Sequence, residues 1–393
     1  MKILVFGAGR MGFGAAFDLL VNSPSVEKVI LADSDPAVLE RTFARLNSLI
    51  GPEAKNRIER VQLDASDQNE VVRWFAEVDA VISCVNYWFN AGLARAAIIA
   101  GCNFCDLGGN NTIVDEELSL DKQALEAGIN IIPDCGLAPG MVSILAVSAA
   151  SEFDGLESIK IRVGGLPQDP KPPLDYQLTF AVEGLINEYI EPARIIRDGK
   201  ILQVESMTEI EEVHFEGFEP LEAFQTSGGT STLINTFAGK LHSLDYKTIR
   251  YRGHCEKFKT MIDLGLCSSN PISLDGNQIK PRKFFASLLE RNLPADEPDV
   301  VLVRVEARGN RDGKTGQSRL DIVDRFDTET GLSAMMRTTA FPASIIAQQM
   351  AQGKTKRRGA VPQELAISVD EFLSELERRN IRIKRSFQTL DSN

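Results

Sequence analysis

The chain has 393 residues, 43% apolar and 25% charged, the make-up of a soluble globular protein with material for two or three domains. Its 43 Lys and Arg stand against 55 Asp and Glu, a formal charge of −12. Binding to nucleic acid or to an anionic membrane surface is therefore not expected, because both rest on clustered positive charge. Apolar runs such as Ala80 to Val85 are far shorter than the roughly 20 residues that span a bilayer.

The N-terminal MKILVFGAG has too short an apolar run for a secretory signal and reads as a strand, so the expected location is cytoplasmic. Ile3 to Phe6, Val29 to Ala32, Val61 to Leu63, Ala80 to Val85, Asn103 to Leu107 and Ile129 to Pro133 are apolar runs suited to strands buried on both faces. Helical patterns lie between them: Met11, Ala15 and Leu19, then Val71, Val72 and Phe75, then Ala94, Ala97 and Ile98. This alternation predicts an α/β fold with a doubly wound parallel sheet over residues 1–134. Six scattered cysteines include one C-x-x-C pair, Cys102 and Cys105, and there are three histidines. No metal site is expected, and the thiols read as reduced and buried.

After Gly140 the texture changes. Ile159, Ile161 and Val163 alternate with polar residues, the sign of a sheet with one wet face. Val301 to Val305 and Leu320 to Phe326 flank the turn-rich Gly309 to Gly316 and predict an antiparallel hairpin. Residues 135–340 are thus expected to form a mixed α+β domain. Its alternating strands also suggest pairing across a two-fold axis, into a homodimer or higher homo-oligomer. The basic run Lys354 to Arg358 reads as a solvated loop.

Gly7, Gly9 and Gly12 form G-x-G-x-x-G between a strand and a helix, with Arg10 and Met11 inside it. The first glycine permits the turn, the second lets backbone approach a pyrophosphate, and the third lets helix pack on strand. Asp33 ends the second strand, where a carboxylate accepts both ribose hydroxyls or caps the helix that starts near Pro36. A carboxylate there repels a 2′-phosphate, and Ser34, Asp35 and Pro36 supply no Arg to offset it, so NAD is the expected cofactor. Asp64, at the end of the third strand, is expected either near the adenine or as a helix cap. Asn86 is expected at the nicotinamide half.

GAGRMG (Gly7 to Gly12), DLGG (Asp106 to Gly109), PDCGLAPGM (Pro133 to Met141), GGLP (Gly164 to Pro167), VEGLINEYIEPA within Leu178 to Ala193, and TIRYRGH (Thr248 to His254) follow one another along nearly the whole chain. Together they resemble the saccharopine dehydrogenase family. PPLDY (Pro172 to Tyr176), TSGGTSTL (Thr226 to Leu233) and YKTIRYRGH (Tyr246 to His254) are similar to segments of its lysine 6-dehydrogenase branch. The resemblance implies a Rossmann domain with an inserted substrate domain, the chain returning near Phe341 to Met350 so that 341–393 complete the first domain. It also implies NAD-dependent oxidation of the ε-amine of L-lysine to 2-aminoadipate 6-semialdehyde, with release of ammonia. The alternatives are a saccharopine or carboxynorspermidine dehydrogenase-type enzyme acting on a secondary amine such as a lysine adduct, and a dinucleotide-binding regulator without turnover.

Amine oxidation needs a group that strips a proton from the substrate ammonium, whose ordinary pKa is about 10.4, and a cation for the α-carboxylate. Arg250 is the candidate for the carboxylate, as the family's T-[LI]-R-Y arginine, with a structural ion pair as its other reading. His254 is a candidate base or a packed residue, and Lys247 a base or a solvated lysine. Glu183 is read as an ammonium ligand, a proton relay or a surface residue. Asp106 and Asp134 end strands at the ligand edge of the sheet, where they would touch ligand or cap a helix.

Overall fold

Short runs of branched and aromatic residues become parallel strands when helices cover both of their faces. The structure, a computed structural model, describes residues 1–390. Its first unit contains Met1–Ser148, Asp327–Leu332 and Met336–Arg382. The strands are β1 (Lys2–Phe6), β2 (Lys28–Asp33), β3 (Ile58–Gln62), β4 (Ala80–Ser83), β5 (Asn103–Asp106) and β6 (Asn130–Ile132). They pair in parallel in the order β3-β2-β1-β4-β5-β6, and the short strand Gly359–Ala360 continues the sheet beside β6. This is the expected doubly wound sheet, in Rossmann order, with β3 beginning three residues earlier than its apolar run. Leu4, Phe6, Ile30, Val81 and Phe104 form one face of the core, packed with Val71, Phe75, Leu93 and Ala97 of the helices.

The second unit holds Ala149–Phe326, Ser333–Met335 and the C-terminal stretch from Ile383. Its strands are β7 (Gly155–Pro167), β8 (Ala193–Arg197), β9 (Lys200–Val204), β10 (Glu211–Val213), β11 (Leu221–Gln225), β12 (Ser243–Arg250), the small hairpin β13 (Ile272–Leu274) and β14 (Asn277–Ile279), β15 (Asp299–Arg311) and β16 (Lys314–Arg325). The main sheet runs β10-β11-β12-β7-β15-β16 and ends in the strand Lys384–Thr389, with β8 and β9 attached to β12. The hairpin expected around Gly309 to Gly316 is β15 and β16, paired from Val300↔Arg325 to Arg311↔Lys314.

Two expectations change here. The polar face of β7 is not simply wet, since Arg162 is only 3% exposed. In register across the sheet stand Gln225, Lys247, Arg162, Arg304 and Asp321. Arg162 pairs with Glu211 and, at 3.1 Å, with Asp245, while Arg304 pairs with Asp321 at 2.8 Å. The ion pairs let these long side chains lie down on the sheet and cover it. The C-terminal stretch is also divided between the units. Lys384–Thr389 pairs antiparallel with β16 instead of completing the first unit, and so covers β16's otherwise unpaired edge. No helix among the described residues is long and apolar enough to cross a membrane.

The first unit is closed by one buried ion pair. Arg379 Nε lies 2.8 and 3.0 Å from the two carboxylate oxygens of Asp18, and both side chains are fully buried. Burial raises the Asp18 pKa even against the guanidinium beside it. Arg379 also pairs with the half-buried Glu375 and bonds Ser23, so Asp18→Asn removes one of two carboxylates and should lower stability by about 1–3 kcal/mol. Urea unfolding measures this, and a loss below about 1 kcal/mol would show that the pair behaves like a solvated one.

Candidate active site

In the first unit the glycine turn has the geometry that its spacing predicts. Gly7 has φ +104°, and a Cβ there would stand 2.7 Å from the Cys84 carbonyl oxygen. A Cβ on Gly12 would lie 1.7 Å from the Gly7 carbonyl oxygen, so only glycine lets the helix start against the strand. Gly9 has no atom within 4 Å of the same position, which leaves its backbone open to a ligand. The helix Arg10–Val21 begins at Gly9 with no side-chain cap, so its first N–H groups and partial positive charge face this opening. Arg10 and Met11 sit half-buried in the first turn.

Asp33 ends β2, and its Oδ2 accepts a hydrogen bond from the Ala8 N–H at 2.7 Å, inside the glycine turn. Its Oδ1 accepts from the Asp35 N–H at 2.9 Å, while Asp35 itself caps the next helix. Asp33 is thus a strut of the turn, not a helix cap, and each carboxylate oxygen keeps a further lone pair for a ribose hydroxyl. A dinucleotide fits this arrangement. Asp64 accepts from the Ser66 N–H and hydroxyl at 2.8 and 2.7 Å, which hold its carboxyl below the usual range, while Asp67 caps the following helix. Asn86 is exposed ahead of the turn Tyr87–Phe89 and makes no capping bond.

A carboxyl cluster lies at the ends of β5 and β6. Asp106 Oδ1 accepts from the Gly108 N–H at 2.5 Å and from the Asp134 N–H at 3.3 Å. Gly108 has φ +80°, which favours glycine, and a Cβ there would displace Asp134 Oδ1, 2.1 Å away. Glu117 is fully buried beside Asp106, and burial, then the Asp106 carboxyl, push its pKa far above the carboxylate range. At neutral pH this pair retains a proton. Asp134 is buried at φ +60°.

In the second unit, β12 places Thr248 and Arg250 on one face and Lys247 on the other. Arg250 is 3% exposed. Its Nε donates to the Tyr189 hydroxyl at 2.8 Å, its Nη1 donates to the Ile249 carbonyl at 2.9 Å, and its guanidinium lies 4.8 Å from the Tyr176 ring centre. No carboxylate among the described residues pairs with it. Burial works against its charge, and Tyr189, Tyr176 and Glu188 outweigh burial to raise its pKa. Burial raises the pKa of both phenols, so they stay neutral near pH 7, and Glu188 is the one carboxylate of the three. The Tyr176 hydroxyl and Thr179 Oγ1 are buried near each other, and neither has a hydrogen-bond partner within 3.5 Å.

His254 stands behind this group, with Nδ1 3.0 Å from the Leu174 carbonyl and Nε2 3.1 Å from the Tyr189 hydroxyl. A carbonyl only accepts, so Nδ1 carries the proton and Nε2 accepts from Tyr189, which in turn accepts from Arg250. Burial, then the Arg250 charge, lowers the His254 pKa to about 3. Both nitrogens are committed, and the ring steadies Tyr189 and through it Arg250. Lys247 Nζ donates to the Glu209 carbonyl at 2.6 Å and pairs with Glu211 at 3.1 Å, in the ionic layer on the opposite face. Glu183 pairs at the surface with Arg282 at 2.6 Å. The structure therefore brings Arg250 and His254 together and sets Lys247 and Glu183 apart from them.

Glu188 was missed by sequence reading. Its Oε1 accepts from Thr248 at 2.6 Å and from Thr226 at 3.2 Å. On a wheel of about 100° per residue, Glu183 and Glu188 flank the Val182, Leu185, Ile186, Tyr189 stripe at equal angles on opposite sides. The only signal in the sequence is that Glu188 adjoins Tyr189.

The first unit is thus a dinucleotide-binding Rossmann domain, and the second carries a polar cluster built around a buried arginine. Residues 3–132 match the saccharopine dehydrogenase NADP binding domain, and residues 136–381 match the saccharopine dehydrogenase C-terminal domain. The chain belongs to the saccharopine dehydrogenase family, a family of oxidoreductases. It is 27% identical over 256 residues to saccharopine dehydrogenase [NADP(+), L-glutamate-forming] of Saccharomyces cerevisiae, covering 63% of this chain and 55% of that one. It is 24% identical over 403 residues to carboxynorspermidine synthase of Vibrio cholerae, covering 95% and 94%. In sequence, the chain spans about half or less of the first curated relatives it matches, 31% in the case of the bovine alpha-aminoadipic semialdehyde synthase. The apo saccharopine dehydrogenase (L-Glu forming) of Saccharomyces cerevisiae shares the fold, with a TM-score of 0.79 at 20% identity over 99% of this chain and all of that one.

The buried neutral histidine has a pH signature. Above its unfolded pKa of about 6.5 both states leave it neutral. Between there and about 3 the unfolded chain binds a proton that the folded chain refuses, so stability falls as pH falls. One proton contributes a slope of about 1.4 kcal/mol per pH unit. His254→Gln keeps a donor and an acceptor without titrating, and should flatten the wild-type decline between pH 6 and 4 by about that slope. Parallel urea titrations of the two proteins would contradict the neutral-histidine geometry if their slopes were equal.

Proposed function

We propose that the chain catalyses NAD-dependent oxidative deamination of L-lysine at its ε-carbon, giving 2-aminoadipate 6-semialdehyde, ammonia and NADH. The supporting observation is Arg250, a buried guanidinium with no carboxylate of its own, beside the unsatisfied hydroxyls of Tyr176 and Thr179. A buried cation without a partner is costly, and a substrate α-carboxylate would relieve that cost through charge-assisted hydrogen bonds. Tyr189 and His254 hold the guanidinium plane for it.

The turn Gly7 to Gly12 and the Asp33 carboxylate would hold NAD, which supplies the hydride acceptor. Asp33 favours NAD over NADP, because a second negative charge at the ribose would face an acceptor-only group. The substrate ammonium must lose a proton before its carbon can give up hydride. Water then replaces the nitrogen, so the product aldehyde carries oxygen from water and the amine leaves as ammonia.

A second reading, oxidation of a secondary amine bearing another carboxylate, draws on the full-length similarity to the Vibrio cholerae carboxynorspermidine synthase. Parallel assays of NADH formation with L-lysine, saccharopine and carboxynorspermidine separate the two readings. The first expects turnover with lysine and NAD; turnover with a secondary amine alone overturns it. Arg250→Lys should raise the KM for lysine roughly 30-fold or more through loss of the bidentate fork while NAD affinity stays near wild type. If both weaken together, Arg250 is structural.

A further inference from the structure

We infer that Glu188 is the second half of a site for an α-amino-acid head group, taking the α-ammonium of the molecule whose α-carboxylate Arg250 holds. The inference rests on the assignment of Arg250 just made, and it defines the substrate class more narrowly than that assignment does.

The helix Val182–Ile190 lays two successive side chains against one face of β12. Tyr189 accepts from Arg250 Nε, while Glu188 Oε1 accepts from the Thr248 hydroxyl at 2.6 Å. Thr248 and Arg250 are two residues apart on the strand, a rise of about 6.6 Å. One helix–strand contact thus fixes a carboxylate and a guanidinium side by side. They do not pair with each other, although each is the other's nearest source of opposite full charge in this cluster. Among the described residues, Glu188 Oε2 and Arg250 Nη2 have no hydrogen-bond partner.

Two opposite charges held close but apart, each with an uncommitted atom, complement a zwitterion. A bound α-amino acid sets its carboxylate on the guanidinium and its ammonium on the carboxylate, and the four charges then alternate. A simple carboxylate or a diamine satisfies only half of this. Anchoring Thr226 and Thr248 uses one Glu188 oxygen and needs no charge, so a glutamine would serve that purpose equally well. The flanking motif gains a reason as well. In TSGGTSTL, Thr226 bonds Glu188, and Gly229 packs against the Tyr246 ring, which a Cβ would meet at 2.4 Å.

Two measurements on the full-length protein test this. The first reads binding without turnover, by thermal shift in the presence of NAD, using L-norleucine and hexanoate as probes. Both carry the carboxylate and neither has an ε-amine to oxidise. Wild type should be stabilised by norleucine at concentrations about 30-fold lower than by hexanoate, the worth of one charge-assisted bond. Equal response to the two overturns the inference, whether or not lysine is a substrate. The second compares Glu188→Gln with wild type. The variant should lose about 30-fold in affinity for norleucine and, where lysine is turned over, in kcat/KM for lysine. Its response to hexanoate or 6-aminohexanoate should stay within about threefold of wild type. Equal losses on ligands with and without the α-ammonium would make Glu188 merely structural. Failure of lysine turnover with the norleucine preference intact would overturn the proposed reaction and leave the head-group site standing.

Discussion

The second unit is organised around a cation that the chain buries but does not neutralise by direct contact. Arg250 is almost fully enclosed, yet its hydrogen bonds go to a phenol and to its own strand's carbonyl. Stranding a guanidinium in this way normally costs several kcal/mol, and proteins tolerate such a cost where a ligand is meant to settle it. The surroundings follow from this constraint. Tyr189 is oriented by accepting from the guanidinium and donating to His254, and His254 is fixed as one neutral tautomer by the Leu174 carbonyl. Aromatic rings of Tyr176, Tyr189, Phe224 and Phe258 pack around the imidazole, which keeps it dry and neutral. The polarity that remains available is then concentrated at Glu188, Tyr176 and Thr179.

The first unit applies similar economy in a different way. Asp33 braces the glycine turn through the Ala8 N–H at the strand end where Rossmann domains read a ribose, so the residue proposed to recognise the cofactor also preforms the turn. At the other end of the sheet, Asp106 and Glu117 share a buried environment without a cation, so that at least one of them is an acid at neutral pH. Protonated or not, Asp106 still accepts through Oδ1, which takes the Gly108 and Asp134 N–H groups.

Much of this was legible from the amino acids, for reasons that can be stated residue by residue. The glycine turn and β1 to β6 show plainly because parallel strands leave continuous apolar runs and because Gly7 and Gly12 have no substitutes. Arg250 was legible from its motif. Its partners were harder to find. Glu183 and Glu188 occupy mirror-image flanks of one helix, and only the packing of Val182–Ile190 on β12 chooses between them. Lys247 was misplaced because strand alternation puts neighbours on opposite faces, and its face is an ionic layer invisible in local sequence. The same layer hid the burial of Arg162. Charged residues read as wet until their partners, here Glu211 and Asp245 from other strands, are known. The strand Lys384–Thr389 was assigned to the wrong unit because nothing local reveals which sheet edge a terminal strand will cover.

The central claim is that Arg250 is held ready for a carboxylate that the chain does not supply. Its most direct test is a crystal structure of the protein with NADH and L-lysine. The account predicts the amino acid's α-carboxylate within hydrogen-bond distance of the Arg250 guanidinium, with Tyr189 and His254 unmoved. Lysine bound with its carboxylate elsewhere, and Arg250 still bonded only to Tyr189 and Ile249, would contradict it.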